Sequence, residues 1–362
     1  MYSQFISRIK SFHTPLLLCS VLLAIAAATS LFDSSIFERT IVEIFIRIVL
    51  VVGLYIFIGN SGIMSFGHVG FMCIGAYAAA WQTVLPAMKN MMLPGLPSFL
   101  LDHALPVLPA AILSGLLVAV IALLVGLVIM RLTGIAASIA TFAFLAVVNV
   151  VYSNWDSVTG GTSSVIGIPT YIDVWVAFGW VAVAVAIAAG YSASRYGLAL
   201  RAVREEPAGA QGCGVNVFRA RLIAFVLSGF VVGIAGVLDA HFLGVVNPDA
   251  YYLGKTFIAL AMLVVGGIGS LSGAVCGVVS ISVVMEILIR FEQGVVVGAT
   301  KLSIPNGVQE IVIGIVMMLI LIYRPSGLLG NRELRLPRFS RRADASAMSK
   351  ELSKSIPAAS GS

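Results

Sequence analysis

The sequence predicts an all-α polytopic membrane protein, and three observations support that fold class. Hydrophobic residues make up 59% of the 362 residues and charged residues only 10%, whereas soluble domains carry roughly 25% charged residues. The apolar residues form continuous runs rich in Ala, Leu, Val and Gly, unlike the segments of alternating polarity that build a membrane β-barrel. One charged stretch, residues 195–221, interrupts these runs and is called the polar island below. The runs on either side are long enough to cross a bilayer, so the island is a loop between two spans.

Ten apolar runs are candidates for transmembrane helices by the usual criterion of about 20 residues. The eighth run is the shortest of them. The runs cover Leu16–Phe32, Ile41–Ile58, Ile63–Trp81, Val107–Met130, Ile135–Tyr152, Val174–Tyr191, Leu222–Leu243, Thr256–Gly269, Leu271–Ile289 and Ile304–Tyr323.

Basic residues set the predicted orientation. With ten spans, the basic residues before the first run, Arg131, the arginines of the island and those after the last run share one side. The positive-inside rule makes that side cytoplasmic, with both termini inside. The first run is longer than the apolar part of a typical signal peptide, so we expect an uncleaved anchor. Residues 1–330 are predicted to form the transmembrane domain, and residues 331–362, which lack apolar periodicity, a disordered cytoplasmic tail.

Two segments are unusually rich in glycine, and one lies in each half of the chain. The first covers residues 59–77 and the second residues 263–279. Such glycine density lets helices approach closely, or lets a helix break and turn its backbone toward a cavity. Paired interrupted helices in corresponding positions indicate an internal repeat with a substrate path between its halves. Tight packing explains the glycines equally well, but polar Asn60, Ser61, Ser65 and His68 favour a functional role for the first segment.

These segments and the island resemble a known family, the membrane-spanning permease subunits of branched-chain amino acid ABC transporters, and among them the longer of two paired types. The matching stretches are GNSGIMSFGHVGF, TGGTSSVIGIP, the island with its following span, and VVGGIGSLSGAVCG. The resemblance implies a bacterial inner-membrane importer in which two related permeases, two cytoplasmic ATPases and a periplasmic binding protein work together. Related permeases carry urea or short amides, so the solute stays open between these and branched-chain or other hydrophobic amino acids.

The resemblance assigns two groups of residues. The first would line the substrate path: Ser61, Gly62, Ser65, Phe66, Gly67, His68, Gly70, Thr159, Gly160, Gly161, Gly266, Gly267 and Gly269. The second would form the coupling helix that docks on the ATPase: Arg204, Glu205, Glu206, Ala210 and Gly212. Independently, the island reads as a helix that stops near Pro207, followed by small residues that allow close approach by another protein. The alternative is a solvated loop whose charges only enforce topology.

Other functional classes have less support. Gly254-Lys255-Thr256 imitates the end of a phosphate-binding loop, but Asp249 stands where that motif needs its first glycine. We therefore expect ATP to be bound by partner subunits and this chain to hold no cofactor. The four cysteines are far apart, which predicts neither a zinc site nor disulfides, and they are expected to be buried. No enzyme motif of the HExxH or GxSxG kind is present, so we predict that the chain is not an enzyme.

An ion-coupled secondary transporter is the rival class, since it would need ionisable groups within the membrane. Glu43 precedes Arg47, and Glu286 precedes Arg290, by four residues each, so we expect both pairs to neutralise themselves along one helix face. At the outer face, Arg290 and Lys301 are the preferred contacts for a binding protein, because rim charges steer encounter and remain sensitive to salt. The competing reading is that Arg290 only pairs with Glu286.

Overall fold

The computed structural model describes residues 13–29, 35–293, 295–297, 300–302, 307–324, 327–330 and 333. Most of that chain is helical. The helices, in chain order, are α1 (His13–Thr29), α2 (Ser35–Leu54), α3 (His68–Thr83), α4 (Pro86–Met92), α5 (Ser98–Leu101), α6 (Val107–Ile129), α7 (Ile135–Asn154), α8 (Asp156–Thr159), α9 (Val174–Ala193), α10 (Arg195–Glu205), α11 (Pro207–Gly212), α12 (Val217–Leu243), α13 (Leu253–Gly266), α14 (Leu271–Gln293) and α15 (Val308–Tyr323).

The few strands are short and pair locally. Strand β1 (Val165–Ile166) pairs antiparallel with β2 (Val245–Val246), and β3 (Val295–Val297) pairs antiparallel with β4 (Thr300–Leu302). The first pair ties the segment before α9 to the segment after α12. These ladders join loops and build no sheet core.

Seven helices in the described part of the chain are long and apolar enough to cross a membrane. They are Ser35–Gly59, Val107–Ile129, Ile135–Asn154, Val174–Ala193, Val217–Leu243, Pro248–Gly266 and Leu271–Glu292. The chain is thus an all-α polytopic membrane protein. The other three predicted spans coincide with α1, α3 and α15, which are shorter, with 17, 16 and 16 residues.

Among the boundaries that differ from the sequence-based prediction, two lie at interruptions marked by glycine. The third run was expected to begin at Ile63, but α3 begins at His68 because Gly62, with φ of 72°, ends the preceding helix and residues 62–67 are irregular. The eighth run was expected to end at Gly269, but α13 ends at Gly266, where Gly267 has φ of 122°. Positive φ is accessible to glycine at little steric cost, so both glycines mark interruptions.

Helix α12 lies at the centre of the bundle and packs against α2, α3 and α6. Glycines let α3 and α12 approach closely: a Cβ on Gly75 would overlap the carbonyl of Gly233, and one on Gly236 would overlap the carbonyl of Met72. Small residues at such crossings are typical of membrane helix packing. By contrast, α6 presents Leu, Ile and Val side chains at its surface, including Leu124, which is 60% exposed.

Side-chain contacts show which loops share an end of the bundle. Arg221 donates to the carbonyl of Leu132 (3.2 Å), and the guanidinium of Arg131 lies over the ring of Phe218. The polar island and the α6–α7 turn therefore share one end, called the island end. The helix ends joined by the contact of His241 with Thr83 (3.0 Å) lie at the opposite end. The predicted tail of residues 331–362 lies outside the described residues, apart from Glu333.

Candidate functional site

The first interruption, residues 62–67, is called the first break. Before it, α2 widens into a π-helical turn over Tyr55–Gly59. Such turns occur frequently at functional sites. Irregular backbone at membrane depth is tolerated only where protein covers it or where it lines a water-filled cavity. The backbone of the first break must therefore be covered by protein or must line a water-filled cavity.

Helix α7 supplies part of that environment through two side chains. The backbone amide of Phe66 donates to Oγ1 of Thr141 (3.2 Å), and Oγ of Ser138 donates to the carbonyl of Met64 (2.7 Å). Thr141 is fully buried. The sequence analysis did not predict either residue, although a Ser and a Thr three positions apart on an otherwise apolar helix could have indicated a polar contact.

His68 stabilises the first break from inside the bundle. Its Nδ1 lies 2.7 Å from Oγ of Ser65, and both residues are buried. The imidazole ring lies between Phe57, Phe71 and Phe225, with ring centroids 5.3 to 5.8 Å away. Of the predicted path residues, Ser65 and His68 thus face the helix core rather than a cavity.

Phe66 points the other way, toward the surface between α7 and α13. Its ring lies 6.3 Å from that of Phe142 and 6.4 Å from that of Phe257, and these two side chains are 39% and 55% exposed. Gly62 is also exposed, whereas Gly67 and Gly70 pack against α7, where a Cβ on Gly67 would lie 2.6 Å from the carbonyl oxygen of Thr141.

The second interruption, residues 267–270, is called the second break, and it contacts the π-helical turn that precedes the first break. A Cβ on Gly59 would lie 2.7 Å from the carbonyl oxygen of Ile268. Gly266 and Gly267 are buried and Gly269 is half-buried. The helices before and after this break pack backbone to backbone, since a Cβ on Gly266 would overlap the carbonyl of Gly273. The structure thus brings together the two glycine-rich segments that the sequence paired.

A short C-terminal segment lies against the second break. The amides of Leu328 and Leu329 donate to the carbonyls of Val265 and Gly266 (2.8 and 3.2 Å). The carboxylate of Glu333 accepts from the amide of Leu271 (2.8 Å), and from the amide and the hydroxyl of Ser272 (3.3 and 2.9 Å), where α14 begins. A carboxylate there satisfies unpaired amides and interacts favourably with the helix dipole. The sequence offered no signal for this contact.

The polar island reaches the first break through one arginine. Nη1 of Arg204, on α10, donates to the carbonyl of Gly59 (2.8 Å), and the aliphatic part of its side chain covers Gly62, leaving only 3.0 Å to a Cβ placed there. This charge-assisted bond satisfies a carbonyl at the end of the π-helical turn. It is the direct contact between the island and the break.

Three of the four other predicted coupling residues lie on the island's surface. Glu205, Glu206 and Gly212 are exposed, and Ala210 is buried. The helix stops at Glu205 as predicted near Pro207, and Glu206 then accepts from the amide of Ala208 (3.3 Å) to cap α11. Cys213, in the turn after α11, is exposed, so the expectation that all four cysteines are buried is wrong; Cys73 is buried, and Cys19 and Cys276 are half-buried.

Thr159, Gly160 and Gly161 lie at the opposite end from the breaks. Oγ1 of Thr159 donates to the carbonyls of Tyr152 and Trp155 (2.6 and 2.8 Å) at the end of α7. Both glycines have positive φ. The structure therefore does not bring these three residues together with the two breaks.

Several ionisable residues form ion pairs with one another. Glu43 contacts Arg47, and Oε1 of Glu286 accepts from Nε of Arg290 (2.9 Å), which confirms both predicted pairs. Lys301 belongs to β4, but its side chain lies outside the described residues. Sequence reasoning missed a third pair: Asp239 accepts from Nζ of Lys255 (2.7 Å).

Comparisons with known proteins come from both sequence and structure. The family model described as the permease component of the branched-chain amino acid transport system matches residues 36–321. The chain is 27% identical over 320 residues to the high-affinity branched-chain amino acid transport permease LivM of Salmonella typhimurium, covering 78% of this chain and 68% of LivM. No solved structure matches the chain.

Shorter matches reach other permeases. The chain is 31% identical over 143 residues to the permease LivH of Salmonella typhimurium, covering 39% of this chain and 42% of LivH. It is 31% identical over 179 residues to the autoinducer 2 import permease LsrC of Klebsiella pneumoniae, covering 47% of this chain and 51% of LsrC.

Proposed function

Because the chain belongs to the family of branched-chain amino acid transport permease components, we propose that it forms half of the membrane path of an ABC importer for branched-chain or other hydrophobic amino acids. LivM and LivH are both named as permeases of high-affinity branched-chain amino acid transport. A chain similar to both fits a system of two related permeases. We therefore propose a LivH-like second permease as its partner.

The contact between Arg204 and the carbonyl of Gly59 carries the mechanistic part of the proposal. The exposed side of α10 and α11, with Glu205, Glu206 and Gly212, would dock on a cytoplasmic ATPase. Movement of the docked helices would then pull on Arg204 and change the first break. In this account the chain binds no ATP, and the energy comes from two partner ATPases.

The surface around the first break fits the translocation path. Gly62 is exposed there and Phe66 is half-buried beside Phe142 and Phe257. Exposed irregular backbone requires a covering protein or a water-filled cavity, and a second permease with a path between the two chains provides both. The aromatic side chains would contact the apolar side chain of the solute.

The orientation completes the proposal. The island end would face the cytoplasm of a bacterial inner membrane, with both termini inside and about ten spans in total. A periplasmic binding protein would deliver the solute to the opposite end, where Arg290 and Lys301 are the proposed contacts. Thr159, Gly160 and Gly161 would belong to the entrance at that end.

Reconstitution tests this function. The chain is purified from native membranes, co-purifying proteins are identified, and the complex is placed in proteoliposomes with ATP inside and binding protein outside. We expect uptake of radiolabelled leucine that requires both ATP and binding protein. Uptake of urea but not leucine would show that the solute is urea rather than a hydrophobic amino acid. Uptake by the isolated chain, driven by a proton or sodium gradient without ATP, would contradict the proposal.

A further inference from the structure

A crevice of about 600 Å³, lined by apolar and charged side chains, lies at the opposite end, between α2, α12 and α14. Two of these helices, α2 and α14, each carry a row of polar residues that begins in the crevice. Residues 39, 43 and 47 of α2, and residues 282, 286 and 290 of α14, recur every four positions, and such residues share one helix face. Arg39, Glu43, Glu286 and Arg290 line the crevice, and Arg47 and Ser282 continue the two rows beyond it.

The rows extend well into the membrane. Glu43 and Arg47 lie eight and twelve residues into the span that begins at Ser35, or about 12 and 18 Å of helix rise. Arg47 bridges the two helices there, since its Nη1 donates to Oγ of Ser282 (3.3 Å). Ionisable residues at such depth are rare and normally mark a functional site.

The charges of the crevice remain accessible although they are paired. The side chain of Glu43 is 46% exposed and that of Arg290 is 59% exposed. The guanidinium of Arg39 lies over the ring of Phe242, 5.6 Å from its centroid. A carboxylate and guanidinium groups exposed within a membrane span require a polar occupant, because hydrocarbon does not solvate them.

We propose that this crevice binds a phospholipid whose headgroup carries a primary amine. The phosphate would accept from Arg39 and Arg290, since guanidinium groups suit phosphate oxygens. With Arg290 held by the lipid, Lys301 would remain as the proposed contact for the binding protein. The ammonium group would donate to Glu43 and Glu286. The crevice offers both signs of charge side by side, which matches a zwitterion better than a purely anionic headgroup.

The surroundings favour a lipid over a soluble zwitterion. Ile36, Val283 and Ile287, on the two helices that carry the rows, are 68%, 48% and 49% exposed. An apolar surface of this kind beside a charged crevice suits acyl chains, whereas a soluble ligand is normally enclosed on most sides. The crevice also opens near the helix ends, where headgroups lie.

Lipid retention by the full chain, purified with its natural partners, tests the site. The protein is exchanged into nanodiscs of equal parts phosphatidylethanolamine, phosphatidylcholine and phosphatidylglycerol, and the retained lipids are counted by native mass spectrometry after mild detergent release. We expect phosphatidylethanolamine to be retained about tenfold over each of the others, as the loss of one charge-assisted contact would predict. Equal retention of all three lipids would refute the proposal.

Variants of the protein test the proposed contacts to the ammonium group and to the phosphate separately. Glu43→Gln should remove the preference for phosphatidylethanolamine over phosphatidylcholine, whereas Glu38→Gln, an exposed carboxylate outside the crevice, should keep it. Arg290→Gln should weaken retention of all three lipids, whereas Arg195→Gln at the island end should not. If Glu43→Gln does not fold, the lipid preference of the wild-type protein and the lipid retention of Arg290→Gln still test the proposal. Displacement of the retained lipid by millimolar free leucine would show a solute site and overturn the proposal.

Discussion

The two breaks are similar in sequence but are held by different parts of the molecule. The first break both donates hydrogen bonds to α7 and accepts them from it, and Gly59 just before this break accepts one from Arg204 of the polar island. The residues on either side of the second break bond to the C-terminal segment instead: Gly266 accepts from Leu329, and Leu271 donates to Glu333. One interruption is thus connected to the island, and the other to the chain that follows the last helix.

This difference indicates separate mechanical roles. The side chain of Arg204 lies against Gly62, so a movement of α10 can change the first break without breaking helix backbone contacts. The second break sits between helices in backbone contact at Gly266 and Gly273. We infer that the first break is the adjustable one and that the second is the fixed support against which it moves.

The largest effect is expected at the fixed support. Gly266→Ala places a Cβ on the carbonyl of Gly273, and such overpacking costs about 1–3 kcal/mol. The melting temperature of the purified chain should fall clearly. Gly254→Ala on the same helix is the control, because nothing lies within 4 Å of a Cβ there. Equal melting temperatures for both variants would show that α13 and α14 are not in close contact.

The next effect concerns coupling through the first break. Arg204→Gln removes the charged donor to the carbonyl of Gly59, and loss of such a bond should lower ATP-driven uptake about tenfold. ATP hydrolysis should persist, since the docking surface is unchanged. Arg201→Gln is the control, because that side chain donates to Ser192 rather than to a break. Equal losses in both variants would remove the special role of Arg204.

A smaller effect is expected where α7 supports the first break. Thr141→Val removes the acceptor of the Phe66 amide, which should destabilise the fold by about 1 kcal/mol. Thr256→Val is the control, because this hydroxyl is also buried but bonds to the nearby carbonyl of Tyr252, four residues earlier, rather than to a break. Thermal unfolding of both variants measures this difference. Identical melting temperatures would contradict the hydrogen bond between Phe66 and Thr141.

The smallest effect is expected from Glu333. Glu333→Gln keeps an acceptor but removes the charge at the start of α14, an interaction of about 0.3–1 kcal/mol. Hydrogen exchange at Leu271 and Ser272 should become faster, while exchange at Phe66 should stay unchanged. Faster exchange at both breaks would mean that the C-terminal segment supports them together.

Much of the fold was predictable because long hydrophobic runs directly identify the helices that can span a membrane. Each predicted span overlaps a helix, but only seven helices in the described chain are long and apolar enough to cross a membrane, so the count of ten spans stays a prediction. The two breaks were predictable as glycine-rich segments. Their partners were not, because Thr141, Ile268 and Glu333 are distant in sequence from the residues that they contact.

The sequence by itself determined the membrane class, the pairing of Glu43 with Arg47, and the position of the polar island. These features depend on composition or on residues four positions apart, which local helix geometry brings together. Only the tertiary structure decided that the two glycine-rich segments touch, that Arg204 reaches Gly59, and that charged residues of α2 and α14 line one crevice. Contacts between helices depend on how the bundle packs, and a single sequence does not specify that packing by any local rule.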